Sequence, residues 1–191
     1  MAQAGNEIRD ELVRRHRAAV RAVAGALGLA SLLLFVAAVR WISSATEPRT
    51  LGQLLDETLG RVAPETSPDP VLLMSLWIGI AFLALSAIYY RRAKFAPVRL
   101  NAVAGLRGAS GLLRTLQQTT VRVALIGAAI AALGFISSLL TGLFGDMLRA
   151  WLIAVAVLAY AYPRRGAWRR VAEAAGEADA DAGTAAKGTY A

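Results

Sequence analysis

The sequence predicts an all-α integral membrane protein, a four-transmembrane-helix bundle with short amphipathic surface helices. One reason is composition. The chain is 57% hydrophobic and 18% charged, against about 45–50% and about 25% for ordinary soluble domains. A second is that the apolar excess gathers in four blocks of span length, separated by charge-rich segments. A third is that Lys and Arg concentrate in alternate segments between those blocks, as they do in cytoplasmic loops.

A bilayer core about 30 Å thick needs roughly 20 mostly apolar residues in a helix. Ala22–Val39, bounded by Arg21 and Arg40, and Val71–Tyr90 both lack charge. A third block, Val123–Phe144, lies between Arg122 and Asp146, and a shorter fourth, Ala150–Pro163, needs Met147 and Leu148 to reach span length. The expected spans are therefore 22–40, 71–90, 121–144 and 147–163. Together with an outer loop 41–70 and a basic inner loop 91–120 they form one membrane domain, 22–163. The last two spans should form a tight hairpin turning around Gly145.

The segment 1–21 holds Arg9, Arg14, Arg15, Arg17 and Arg21, and the chain after the fourth block opens with Arg164, Arg165, Arg169 and Arg170. The segment between the second and third blocks carries Arg91, Arg92, Lys94, Arg99, Arg107, Arg114 and Arg122 with no acid. By contrast, the stretch from Arg40 to residue 70 has only Arg40, Arg49 and Arg61, against the acids Glu47, Asp56, Glu57, Glu65 and Asp69. Both termini are thus expected in the cytoplasm of a bacterium, with the protein in its inner membrane. The net charge of +8 is a topology signal before it is a nucleic-acid signal, and no nucleic-acid partner is expected. Trp41, Tyr89, Tyr90, Trp151, Tyr160, Tyr162 and Trp168 fall near span ends, where amphipathic rings favour the headgroup layer; Trp77 is the exception.

Residues 1–21 read as a cytoplasmic amphipathic helix capped by Asn6, with Asp10–Arg14 and Glu11–Arg15 one turn apart. In the outer loop, Thr50 and Gln53 have the spacing of a capping box. Leu51, Leu54, Leu55, Leu59 and Val62 then mark a short amphipathic helix, ended by Pro64, Pro68 and Pro70. The inner loop combines Leu106, Leu112, Leu113 and Leu116 with arginines, the pattern of a basic helix on the membrane surface. Arg91, Arg92, Lys94, Arg99, Arg107 and Arg114 are the expected contacts to anionic lipid, worth about 1 kcal/mol each near a charged surface. Gly105, Gly108 and Gly111 weaken that helix or hinge it. The segment 164–191 is basic and then rich in Ala, Gly, Asp and Glu, and reads as a disordered cytoplasmic tail.

The chemistry on offer is sparse. There is no cysteine, and His16 is the one histidine, which excludes thiolate metal sites, iron–sulfur clusters and bis-histidine haem. His16 itself is expected to be a solvated surface residue. No Asp, Glu, His or Lys lies within the four uncharged blocks, where function-bearing charges of membrane proteins are usually found. Motifs of the G-x-S-x-G or H-E-x-x-H type are absent. No catalytic residue, cofactor or metal ligand is expected, and the chain is not read as an enzyme. Asp146 is expected to cap the fourth helix, with Arg149 within reach; a cation or proton site formed by this pair at the outer mouth is the alternative.

Small residues four apart let membrane helices approach closely. Gly134, Ser138 and Gly142 have this spacing, as do Ala22, Ala26 and Ala30. These faces suit packing within the bundle or against another copy or another membrane subunit. The expected function is a non-catalytic accessory, assembly or structural subunit of a larger membrane complex. A small oligomeric channel or transporter is the alternative.

Overall fold

The computed structural model describes residues 2–44, 50–59, 69–94, 97–164, 166 and 168, with side chains outside the description at 2–8, 57 and 97–109. It is all-helical: α1 spans Ala2–Ser43, α2 Leu51–Thr58, α3 Pro70–Lys94, α4 Pro97–Thr141 and α5 Phe144–Ala161. Four of these helices are long and apolar enough to cross a membrane. At 1.5 Å per residue, α1 and α4 are each more than 60 Å long, about twice a bilayer core.

A helix is expected within the inner segment 91–120, and α4 makes it continuous with the third span. It runs unbroken from Pro97 through Gly105, Gly108 and Gly111 into the third apolar block. Helix α1 begins at Ala2, so Asn6, expected at the start of this helix, lies inside it. The expected capping box at α2 is present. Thr50 N donates to Gln53 Oε1 at 2.8 Å, and Gln53 N donates to Thr50 Oγ1 at 3.4 Å. The capping residues and the leucine stripe together define this short helix. Pro64, Pro68 and the expected disordered tail lie outside the described residues, apart from the first few positions after Pro163.

The hairpin turn also falls earlier than the expected position at Gly145. Helix α4 ends at Thr141 and α5 starts at Phe144. Gly142 has φ 74°, and its N–H donates to Ser138 O at 3.0 Å. This is the left-handed cap in which glycine avoids the Cβ penalty. The third span therefore stops at 141 rather than 144. The fourth helix covers 144–161 rather than 147–163.

The chain divides into two compact units. One comprises residues 1–23, 89–122 and 161–191, and the other 24–88 and 123–160.

In the first unit, Ala19 of α1, Leu113 and Leu116 of α4, and Trp168 form a buried core, with Leu12 packed against it. Leu112, Leu113 and Leu116 of the basic segment are thus buried within the protein. Trp168, expected at the headgroup level, is 2% exposed. An indole at the centre of such a core removes about 150–250 Å² from water.

In the second unit α5 is the most buried of the span-length helices and α3 the least. The inward positions of α5 in this unit include Met147, Ala150, Ala154 and Val157. Those of α4 include Val123, Gly127, Ile130, Gly134, Ser137 and Thr141. Both sets alternate three- and four-residue steps, which is the seam of two helices crossing at a shallow angle. Gly134 makes the closest approach, since a Cβ there would collide with the Ala150 methyl. At Gly127 a Cβ would lie 2.8 Å from Leu158 Cδ2. On α3, Val71, Met74, Ile78, Phe82, Leu85 and Tyr89 are exposed, while only Ile80 and Ala87 are buried.

The seam revises the small-residue faces. Positions four apart drift about 40° around a helix of 3.6 residues per turn. Gly134 and Ser138 are buried, but Gly142 has left the face and serves as the cap. On α1, Ala26 and Ala30 are buried, whereas Ala22 is half-buried and Val23 takes the inner position.

Candidate functional site

The polar centre of the second unit is built around Asp146. This residue is 5% exposed and sits in the first turn of α5, inside the helix rather than at its cap. The reason is the early turn at Gly142, which starts α5 two residues before Asp146. A carboxylate in a first turn still meets the positive end of the helix dipole.

Helix α4 supplies two hydroxyls to this carboxylate. Ser137 Oγ donates to Asp146 Oδ2 at 3.1 Å. Thr141 Oγ1 lies 3.0 Å from the same oxygen and 3.0 Å from Ser137 O. A hydroxyl has one proton, so the ionised acceptor competes with the carbonyl for it. Thr141 Oγ1 in turn accepts Leu143 N–H at 3.2 Å, which ties the turn to the same cluster. Ser137, the neighbour of Ser138 on α4, is therefore part of the site.

The expected Asp146–Arg149 pair is present. Arg149 Nη1 donates to Asp146 Oδ1 at 3.2 Å. Its Nε donates to Thr58 O, at the C-terminal end of α2, at 2.6 Å. The guanidinium carbon also lies 5.9 Å from the Trp77 ring centroid, within cation–π range. This gives a contact to Trp77, the one Trp or Tyr placed deep in a span. Arg149 thus links α5 to the end of α2 and faces α3. Both carboxylate oxygens of Asp146 are engaged. Neighbouring Trp151 buries its Nε1 with no hydrogen-bond partner among the described residues.

Among the described residues, the other buried ionisable side chain lies in the first unit. His16 is 8% exposed, contrary to the expected solvated residue. Its Nε2 lies 2.9 Å from Pro163 O. A carbonyl only accepts, so the proton sits on Nε2. The ring meets Trp168 edge-on, with centroids 5.5 Å apart and planes at 89°. Nothing in the local sequence signals a contact 147 residues away.

The cations expected to meet lipid are unequally placed. Arg92 and Arg114 are exposed, and Arg91 and Lys94 are half-buried. Lys94 Nζ stands 5.9 Å from the Tyr90 ring centroid. Arg122 Nη1 donates to Tyr90 Oη at 2.7 Å. Arg99 and Arg107 lie on α4, but their side chains are outside the described residues. Among the described residues no three His, Asp or Glu side chains gather where they would hold a metal ion.

Comparison with protein families, curated proteins and solved structures finds no match to this chain. Its function has to be argued from the residues.

Proposed function

We propose that this chain is a non-catalytic integral membrane protein, an accessory, assembly or structural subunit of a larger complex in a bacterial inner membrane. The observation that carries the reading is the engagement of Asp146 within the hairpin. Two hydroxyls and a guanidinium meet the one acid buried among the described residues, which supports a structural role over a cation or proton site.

The exposed apolar sides of α1 and α3 fit the same reading. Leu32, Phe35, Val39 and Ile42 of α1 are exposed, as are the side chains of α3 noted above. Surface of this kind is intolerable in water and needs lipid or a neighbouring helix. The basic side of the chain, with Arg92 and Arg114 exposed, is assigned to the cytoplasm and to anionic lipid, with both termini inside. The exposed Leu51, Leu55 and Leu59 then suit α2 to the outer interface of the bilayer.

The test is extraction of the tagged full-length protein in mild detergent, followed by sizing and mass spectrometry. Stoichiometric co-purification of other membrane subunits is expected. A clean homo-oligomer that passes ions or solutes in liposomes, and loses that flux in Asp146→Asn, would replace the reading with a channel or transporter. Reporter fusions at residues 60 and 146 should both report the outer side.

A further inference from the structure

A cavity of about 370 Å³ in the first unit is lined by His16, Arg17 and Val20 of α1 and by Tyr162 and Pro163 after α5. We propose that it holds the phosphate of an anionic phospholipid, with Arg17 and Tyr162 as the donors. The inference rests on the membrane reading above and deepens it from a diffuse basic surface to one built site.

The walls have an amphiphile's two characters. Val20 and the Pro163 ring are apolar. Arg17 is exposed, and Tyr162 is half exposed. A guanidinium presents a planar fork that matches phosphate oxygens, and a phenol adds one further donor. The volume lies at the low end of ligand pockets, which run about 300–1,000 Å³. It suits a headgroup and its glycerol, with acyl chains left outside.

Sequence position sets the depth. Arg17 and Val20 stand just before the first apolar block, and Tyr162 and Pro163 close the fourth. Both are places where a span meets the headgroup layer.

The surrounding charge favours an anion. Arg14, Arg17 and Arg21 recur at steps of three and four, which places them on one face of α1, and all three are exposed. Arg164 follows Pro163 and is exposed too. The nearest acids before Arg17 on α1 are Asp10 and Glu11, and Glu11 is paired with Arg15 at 2.6 Å.

The cavity is also held in shape. The His16 Nε2–Pro163 O bond fastens the post-α5 turn to α1, and Trp168 backs the imidazole. A ligand entering a preformed cavity has less ordering to bring about, which favours one discrete site over loose adsorption.

Native mass spectrometry of the full chain in nonionic detergent tests this, with phosphatidylglycerol, phosphatidylcholine and inorganic phosphate titrated separately. One phosphatidylglycerol should be retained in preference to phosphatidylcholine. Arg17→Gln should weaken that one adduct about tenfold, as expected for losing a charge-assisted contact, and Tyr162→Phe should weaken it less. Arg40→Gln removes the same charge at the other end of α1 and should leave the adduct unchanged. Equal binding by wild type and Arg17→Gln would overturn the site, and so would an equal loss in Arg40→Gln. Inorganic phosphate competing as well as lipid would overturn the assignment to a lipid. Recovery of the chain without detergent would instead sink the membrane reading, an outcome seen before any lipid is added.

Discussion

Asp146 and His16 are the two buried ionisable side chains among the described residues, and they are satisfied in opposite ways. Asp146 draws its donors from positions three, five and nine residues away. The α4–α5 hairpin carries nearly everything the carboxylate needs. His16 takes its acceptor from 147 residues away and its ring partner from beyond that. A buried polar group with local partners can be anticipated from sequence, because a turn fixes what lies opposite. One with remote partners cannot, because nothing local distinguishes it from a surface residue.

The same contrast ranks the consequences of substitution. The largest effect should come from Asp146→Ala, which leaves Arg149 and two hydroxyls without their shared acceptor. Each hydrogen bond to a charged group lost in this way costs about 1.5–3 kcal/mol. Urea or SDS unfolding in detergent should show it, with Asp146→Asn intermediate because the amide keeps one acceptor oxygen. A silent Asp146→Asn would mean that the cluster does not hold the hairpin.

Gly134→Ala comes next, at about 1–3 kcal/mol from overpacking. It sets a methyl against the Ala150 methyl, and two helix backbones would have to separate. Gly127→Ala should cost less, since it meets the far end of Leu158, a side chain that can turn. Equal losses in a thermal melt would erase the distinction between a backbone contact and a side-chain contact.

His16→Phe keeps the ring and removes the bond to Pro163. About 0.5–1.5 kcal/mol is expected for that bond, together with the cost of an unpartnered carbonyl. Because the bond holds the chain after α5, limited trypsin digestion should cut faster at Arg164 than in wild type. Unchanged cutting would mean that Trp168 packing alone secures the segment.

Gly142→Ala places a Cβ in the left-handed region and should cost about 1–2 kcal/mol, lowering the melting temperature by a few degrees without changing helix content. The smallest effect belongs to Trp151→Phe. It removes a buried N–H that has no partner among the described residues, so the melting temperature should stay the same or rise slightly.

The four span-length helices, the capping box at Thr50 and the Asp146–Arg149 pair were all readable from the amino-acid order. Each depends on composition over about 20 residues or on neighbours within one helical turn, where spacing alone decides what meets. Tertiary structure decided the rest. It set Leu113 and Leu116, on the inner-segment helix that continues into the third span, against Ala19 and Trp168. It moved the hairpin turn to Gly142, where a positive φ was needed, and so placed Asp146 inside α5 within reach of Ser137. It separated Gly134 from Gly142, since a helix of 3.6 residues per turn carries positions eight apart off a common seam. It also buried His16. Pattern and propensity act over one turn or one span, whereas contacts between distant segments are chosen by the shape and polarity of surfaces that exist only once the helices have packed.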